Sequence, residues 1–248
     1  MGELPIPADT AVARIEQLRQ AASGEPWAEA YLLTALSTLY AYTGRFNDAR
    51  AALAHSRSIL TGFGANLALG YWAIPAGLVE MAADDAAAAE QYLRHGYEAL
   101  RAITGERGAF AYLAALLAEA LYRLGRLDEA QQMTEEAQAA AAPDDIDPHA
   151  QWRATRAKLL ARRGELSAAR RLVDEAKAIL LPVSRSVPKA EVLVAKAEVN
   201  RLAGAPDQAA ACLGAALRIY EDCRAISLAE KVRAVLRTLT DDRGDGLA

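Results

Sequence analysis

A turn that recurs about every forty residues restricts this chain to one kind of architecture. Gly44, Gly125, Gly164 and Gly204 each stand between an apolar helical pattern and a short polar step into a second one. Asp84 occupies the fifth such place, so that successive turns lie 40, 41, 39 and 40 residues apart. A fixed period of this length marks a stacked array of two-helix units, each burying its apolar face only against its neighbours. All 248 residues are therefore read as one domain, because an array grows by adding units.

Aligned on the turn, the units repeat in detail. Eight residues before the glycine stands Leu36 or Leu117, seven before it Ser37 or Ala118, and four before it Tyr40 or Leu121. Phe46 or Leu127 follows the turn by two residues and Ala49 or Ala130 by five. These spacings put large and small apolar residues on one face of each helix, with the small ones where paired helices approach. Ala157, Leu160, Gly164, Leu166, Ala169 and Ala176 continue the plan, as do Ala197, Gly204, Ala209, Leu213 and Ala216.

The pattern resembles the tetratricopeptide repeat, which implies an all-α, right-handed α-solenoid of about five helical hairpins. That family's unit is about 34 residues, so each unit here carries about six more. The surplus is expected between hairpins, at Ala142–Pro148 and Leu181–Pro188, where proline and aspartate cluster as loop signals. The hairpins are expected over 26–226, with capping helices at 10–22 and 227–239 and a frayed tail at 240–248. The second unit is degenerate: Asp84-Asp85 replaces the glycine, and Pro75 predicts a short first helix beginning near Ile74.

Bulk properties narrow the function. Charged residues make up 24% of the chain and hydrophobic ones 53%, the balance of a globular protein. A formal charge of −4 argues against nucleic acid, whose phosphates need a dense array of Lys and Arg. Ser58–Val79 is a 22-residue stretch without a charge, but its glycines and Pro75 fit a buried repeat better than a membrane span. Cys212 and Cys223 form neither a disulfide framework nor a metal motif, as expected of reduced thiols in the cytoplasm.

A second resemblance runs over residues 60 to 240, through Gly96–Leu100, Leu117–Arg126, Gln151–Arg153, Arg156–Gly164, Ala195–Gly204 and Leu217–Asp222. These segments are similar to the C-terminal repeats of a bacterial signalling family that joins a class III cyclase or a DNA-binding domain to an AAA-type or STAND-type ATPase. The resemblance implies a regulatory, sensing arm. It carries over no catalytic residue, and the chain has no phosphate loop of the Gly-x-x-x-x-Gly-Lys-Ser/Thr type. His55, His95 and His149 stand too far apart in sequence to make a local metal or nucleophile motif. No cofactor and no enzymatic activity are expected.

The first helix of each hairpin lines the concave face in the repeat family. By position this implies Tyr31, Thr34, Thr38 and Tyr42, then Tyr112, Glu119, Tyr122 and Arg123, then Gln151, Lys158 and Arg162, then Glu191, Glu198 and Arg201. Aromatic and Arg residues at a groove are common peptide anchors, although tyrosine rings also pack into neighbouring hairpins. An acidic stretch from Asp128 to Asp147 precedes a basic one from Arg153 to Arg171, which either bridge between repeats or polarise a groove. The partner expected is a protein or peptide, an ATPase or cyclase domain among the candidates, and a homodimer stays open. The alternatives are a small-ligand sensor, with a closed pocket, and an accessory subunit of a separate enzyme.

Overall fold

The computed structural model describes residues 6–102, 107–184 and 186–244, and these form twelve helices and no strand. α1 (Ala8–Ala21) precedes five hairpins: α2 (Pro26–Tyr42) with α3 (Phe46–Gly62), α4 (Asn66–Ala82) with α5 (Ala86–Arg101), α6 (Arg107–Arg123) with α7 (Leu127–Ala140), α8 (Ile146–Arg162) with α9 (Leu166–Leu180), and α10 (Ser186–Leu202) with α11 (Pro206–Asp222). α12 (Ile226–Gly244) follows, running past the Leu239 where the sequence suggested a stop. Residues 245–248 of the expected tail lie outside the described residues.

The hairpin turns fall where the period puts them. Gly125 has φ +75°, and the Arg126 amide reaches back to the Leu121 carbonyl at 3.0 Å, so a left-handed residue satisfies the end of α6. Asp84 adopts the same conformation at φ +66°, with the Asp85 amide on the Glu80 carbonyl at 2.9 Å. Aspartate is among the few L-residues that enter this region at modest cost. Asp85 then caps α5, its Oδ1 accepting a hydrogen bond from the Ala88 amide at 2.9 Å.

α4 corrects the expectation of a short helix. It has 17 residues and holds Pro75 in its interior. Close packing against α5 offsets the hydrogen bond that proline removes. A Cβ on Gly77 would lie 2.5 Å from Leu93 Cγ, and one on Gly96 would lie 2.3 Å from the Ala73 Cβ. The missing side chains thus let the fully buried Leu93 fill the space between two closely approaching helices. The uncharged stretch at 58–79 is absorbed by the end of α3, the turn at Gly64 and most of α4. No helix among the described residues is long and apolar enough to cross a membrane.

The surplus over the tetratricopeptide period is only partly in the connections. Between Gly44 and Asp84 the helices α3 and α4 have 17 residues each and the link at 63–65 is short, so the surplus lies in the helices. The loops expected at 142–148 and 181–188 are shorter than that, because α8 already begins at Ile146 and α10 at Ser186, so that Pro148 and Pro188 lie in the first turn of each helix, behind second helices of 14 and 15 residues.

The first helices α2, α4, α6, α8 and α10 pack one against the next as an inner layer, with the second helices outside. α12 packs on α11 and also touches α2. There Ser227 Oγ donates to the Ala41 carbonyl at 2.8 Å, Lys231 Nζ donates to the Met81 carbonyl at 3.0 Å, and Leu228 packs into the cores at both ends of the array. Outside this seam the Ala8 amide donates to the Cys223 carbonyl at 3.0 Å, and Asp9 pairs with Arg224. α12 takes the place of the first helix of a sixth unit and closes the array into a ring, which goes beyond capping it.

Candidate functional site

Ring closure converts the concave face into a central cavity of about 340 Å³. Aliphatic side chains such as Leu78, Leu116, Val194, Leu228 and Val232 make up much of its wall. Asp84, Glu119, Arg123, Lys158, Glu191, Glu198 and Lys231 supply charge, and Tyr42, Tyr122 and Tyr220 supply phenols. Each inner helix contributes, α2 only through its last residue.

One cluster of charges joins α6 to α8. Glu119 accepts from Lys158 Nζ at 2.7 and 2.6 Å, from Arg123 Nε one helical turn away at 3.0 Å, and from Thr155 Oγ1 at 3.0 Å. Glu119 and Lys158 are both buried. Burial alone would raise the Glu119 carboxyl; the Lys158 charge, with Arg123, outweighs it and holds the group down at about 2. Lys158 Nζ also lies 4.2 Å from the centre of the Tyr122 ring.

A second cluster ties α6 to α10. The Tyr122 hydroxyl donates to Glu198 and accepts from Arg162 Nε at 2.6 Å, while Arg162 lies 3.6 Å from Glu198. Burial, then the bond to Glu198, raises the Tyr122 phenol well above its ordinary range. Glu191, two helical turns before Glu198, is different. It sits deep in the ring with part of its surface facing the cavity, and burial pushes its carboxyl up to about 7 against the pull of Arg123. Burial, and then the Glu191 charge, also raise the Tyr42 and Tyr220 phenols.

Of the residues expected on the concave face, Tyr42, Glu119, Tyr122, Arg123, Gln151, Lys158, Glu191 and Glu198 line the cavity, and Arg162 joins them through Tyr122. The others are elsewhere. Tyr112 is half-buried against the central core, near Tyr42 but not in the cavity wall. Thr34 Oγ1 is 2.8 Å from Ser56 Oγ, inside the first hairpin. Thr38 is half-buried and Arg201 is exposed, both away from the cavity wall. Tyr31 is 61% exposed and stacks on Trp27, ring centres 6.3 Å apart. The acidic and basic stretches do not form opposing walls: Lys158 turns inward, while Arg163 pairs with Asp128 at 3.9 Å and Arg153 with Glu175 at 3.5 Å.

Asp84, Tyr220 and Lys231 belong to the wall but were not expected there. Lys231 carried a signal, since it shares the apolar face of α12 with Leu228 and Val232. A lysine on that face needs an acceptor, and it finds the Met81 carbonyl and, at 3.3 Å, Asp84.

No family model matches the sequence, and no curated protein is similar to it. In structure the chain is similar to BtubC (BKLC) from P. vanneervenii, with a TM-score of 0.53 at 18% identity, covering 84% of this chain and 88% of that one. It is also similar to the apo form of the quorum sensor NprR from B. thuringiensis, with a TM-score of 0.58 at 14% identity, covering 94% of this chain and 64% of that one. Kinesin light chain TPR-like repeats from Podosopora anserina give a TM-score of 0.50 at 17% identity, covering 79% and 96%. At these identities the likeness establishes the fold alone: the chain is a TPR-like α-solenoid, here closed into a ring.

Proposed function

We propose that this protein is a non-catalytic sensor whose central cavity takes a small ligand and whose α12 seam responds to occupancy. The observation that carries the reading is ring closure itself. A segment-binding solenoid needs a concave groove open along its length, whereas here Ser227, Leu228 and Lys231 bridge the two ends of that face around a cavity with convergent polar groups. The likeness to a quorum sensor in its apo form supports sensing, and the resemblance to cyclase and ATPase regulators supports a place as a cytoplasmic signalling arm. The carboxylates of the two clusters are committed to cations, which supports the absence of catalysis.

The test is a thermal-shift screen of small molecules against the wild type and Ala154→Phe, which fills the cavity from α8. Compounds that stabilise only the wild type are expected; stabilisation that Ala154→Phe leaves intact would defeat the reading. A second role, docking of a protein partner, is favoured by the exposed aromatic stack of Tyr31, Trp27 and Phe63, in which Trp27 and Phe63 lie 5.1 Å apart. Trp27→Ala would weaken capture of an ATPase or cyclase partner without changing ligand affinity if that face is the output.

A further inference from the structure

The charges of the cavity wall are unevenly satisfied, and the imbalance identifies the polar group of the ligand. Lys158 is committed to Glu119. Arg123 donates through Nε to Glu119 at 3.0 Å and through Nη1 to the Met81 carbonyl at 3.3 Å. Lys231 is held by the Met81 carbonyl and Asp84, and Glu198 by Tyr122 and Arg162. Among the described residues Glu191 alone of the wall's charged groups accepts no hydrogen bond and joins no ion pair. The open valence of the cavity is therefore an acceptor.

Resting on the sensor reading above, we propose that the cavity binds a small aliphatic amine in its ammonium form, with Glu191 as its counter-charge. A carboxylate withdrawn from water needs donors and a compensating charge, and an ammonium group supplies three N–H donors together with that charge. Glu191 is faced by Arg123 and Glu119 from α6, Asp147 and Lys158 from α8, Tyr42 from α2 and Tyr220 from α11, with Lys231 of α12 in the same wall. The two tyrosines keep their protons, so both stay donors, and aromatic faces attract ammonium groups. Leu78, Leu116, Val194 and Leu228 offer apolar contact to a short hydrocarbon body. A volume of about 340 Å³ suits a body of a few carbons. An anionic ligand fits less well, because it would compete with Glu119 and Asp84 for cations already engaged.

The two charge types give opposite pH dependence. An ammonium ligand needs Glu191 ionised and binds more tightly as pH rises through about 7, whereas a carboxylate ligand needs Glu191 protonated and weakens over the same range. Isothermal titration calorimetry of the full chain with hexylamine, hexanol and hexanoate at about pH 8 and about pH 5.5 separates them. Hexylamine is expected to bind at least roughly tenfold more tightly at the higher pH, to lose that advantage in Glu191→Gln, and to keep it in Glu191→Asp. Hexylamine affinity unchanged by Glu191→Gln, no hexylamine binding at millimolar concentration, or tighter binding of hexanoate would overturn the proposal. Hexanol or hexanoate binding that disappears in Ala154→Phe would leave the sensor reading standing without the amine. Binding that Ala154→Phe does not touch would remove both.

Discussion

Removing the Lys158 ammonium tests the buried cluster that holds α6 to α8. Lys158→Met keeps the length of the side chain but leaves Glu119 with only Arg123 and Thr155 of its three partners. The cluster moves the Glu119 carboxyl from an ordinary 4.5 to about 2, in spite of burial. At 1.36 kcal/mol per unit, that shift corresponds to roughly 3 kcal/mol of net favourable interaction in the ionised state. Removing one partner of a buried pair costs about 3–5 kcal/mol, and Arg123 retains part of the interaction. The loss expected at neutral pH is therefore roughly 2–4 kcal/mol.

The folded-state value of Glu119 lies below the unfolded one, so the cluster's contribution is complete above about 4.5 and fades as pH falls toward 2. Urea unfolding of wild type and variant should give curves whose separation narrows in acid. The double variant Glu119→Leu with Lys158→Met should recover part of the loss, because the uncompensated carboxylate is gone while Arg123 keeps only the Met81 carbonyl. A loss under about 1 kcal/mol at neutral pH, or one that does not change in acid, would refute the reasoning, since such values belong to solvated surface pairs.

Glu191→Gln should stabilise the fold by roughly 1–3 kcal/mol near pH 8.5, with the gain falling away as pH drops through the window from about 7 to about 4.5 and vanishing below it. The folded carboxyl titrates above its unfolded value, so its ionisation opposes folding as pH rises; pH-dependent urea unfolding checks this. Gly125→Val should cost roughly 1–3 kcal/mol from backbone strain alone, because nothing lies within 4 Å of the added Cβ, and a thermal melt reads it out. Gly77→Val should cost about as much through overpacking against Leu93, with helix content by circular dichroism retained. Ser227→Ala combined with Lys231→Met should speed amide hydrogen exchange in α12 while the hairpin cores stay protected.

The turns were legible because a left-handed backbone position selects few residue types, and the period then placed every hairpin. Pro75 misled because the penalty it signals is local, whereas what lets α4 continue through it is the close packing allowed by the absence of side chains at Gly77 and Gly96, felt only when α5 packs. Inward-facing positions on α6, α8 and α10 followed from the resemblance to the repeat family, whose first helices line the concave face. Their pairing did not. Glu191 and Glu198 lie on the same face of α10, yet only Glu198 meets Tyr122 and Arg162, a difference set by the register of the neighbouring helices. Ring closure was hidden for the same kind of reason: the rotation between units accumulates over the whole array, and Lys231 in the apolar stripe of α12 was its one trace.

The account rests on a closed ring that withdraws the Glu191 carboxyl from water beside the cavity, with no hydrogen bond or ion pair to it among the described residues. Carbon-13 NMR titration of the Glu191 side-chain carboxyl in the full, unliganded chain tests this most directly. A midpoint at about 7 is predicted; a midpoint in the ordinary glutamate range, about 4.3, would mean a solvated carboxyl and an open array.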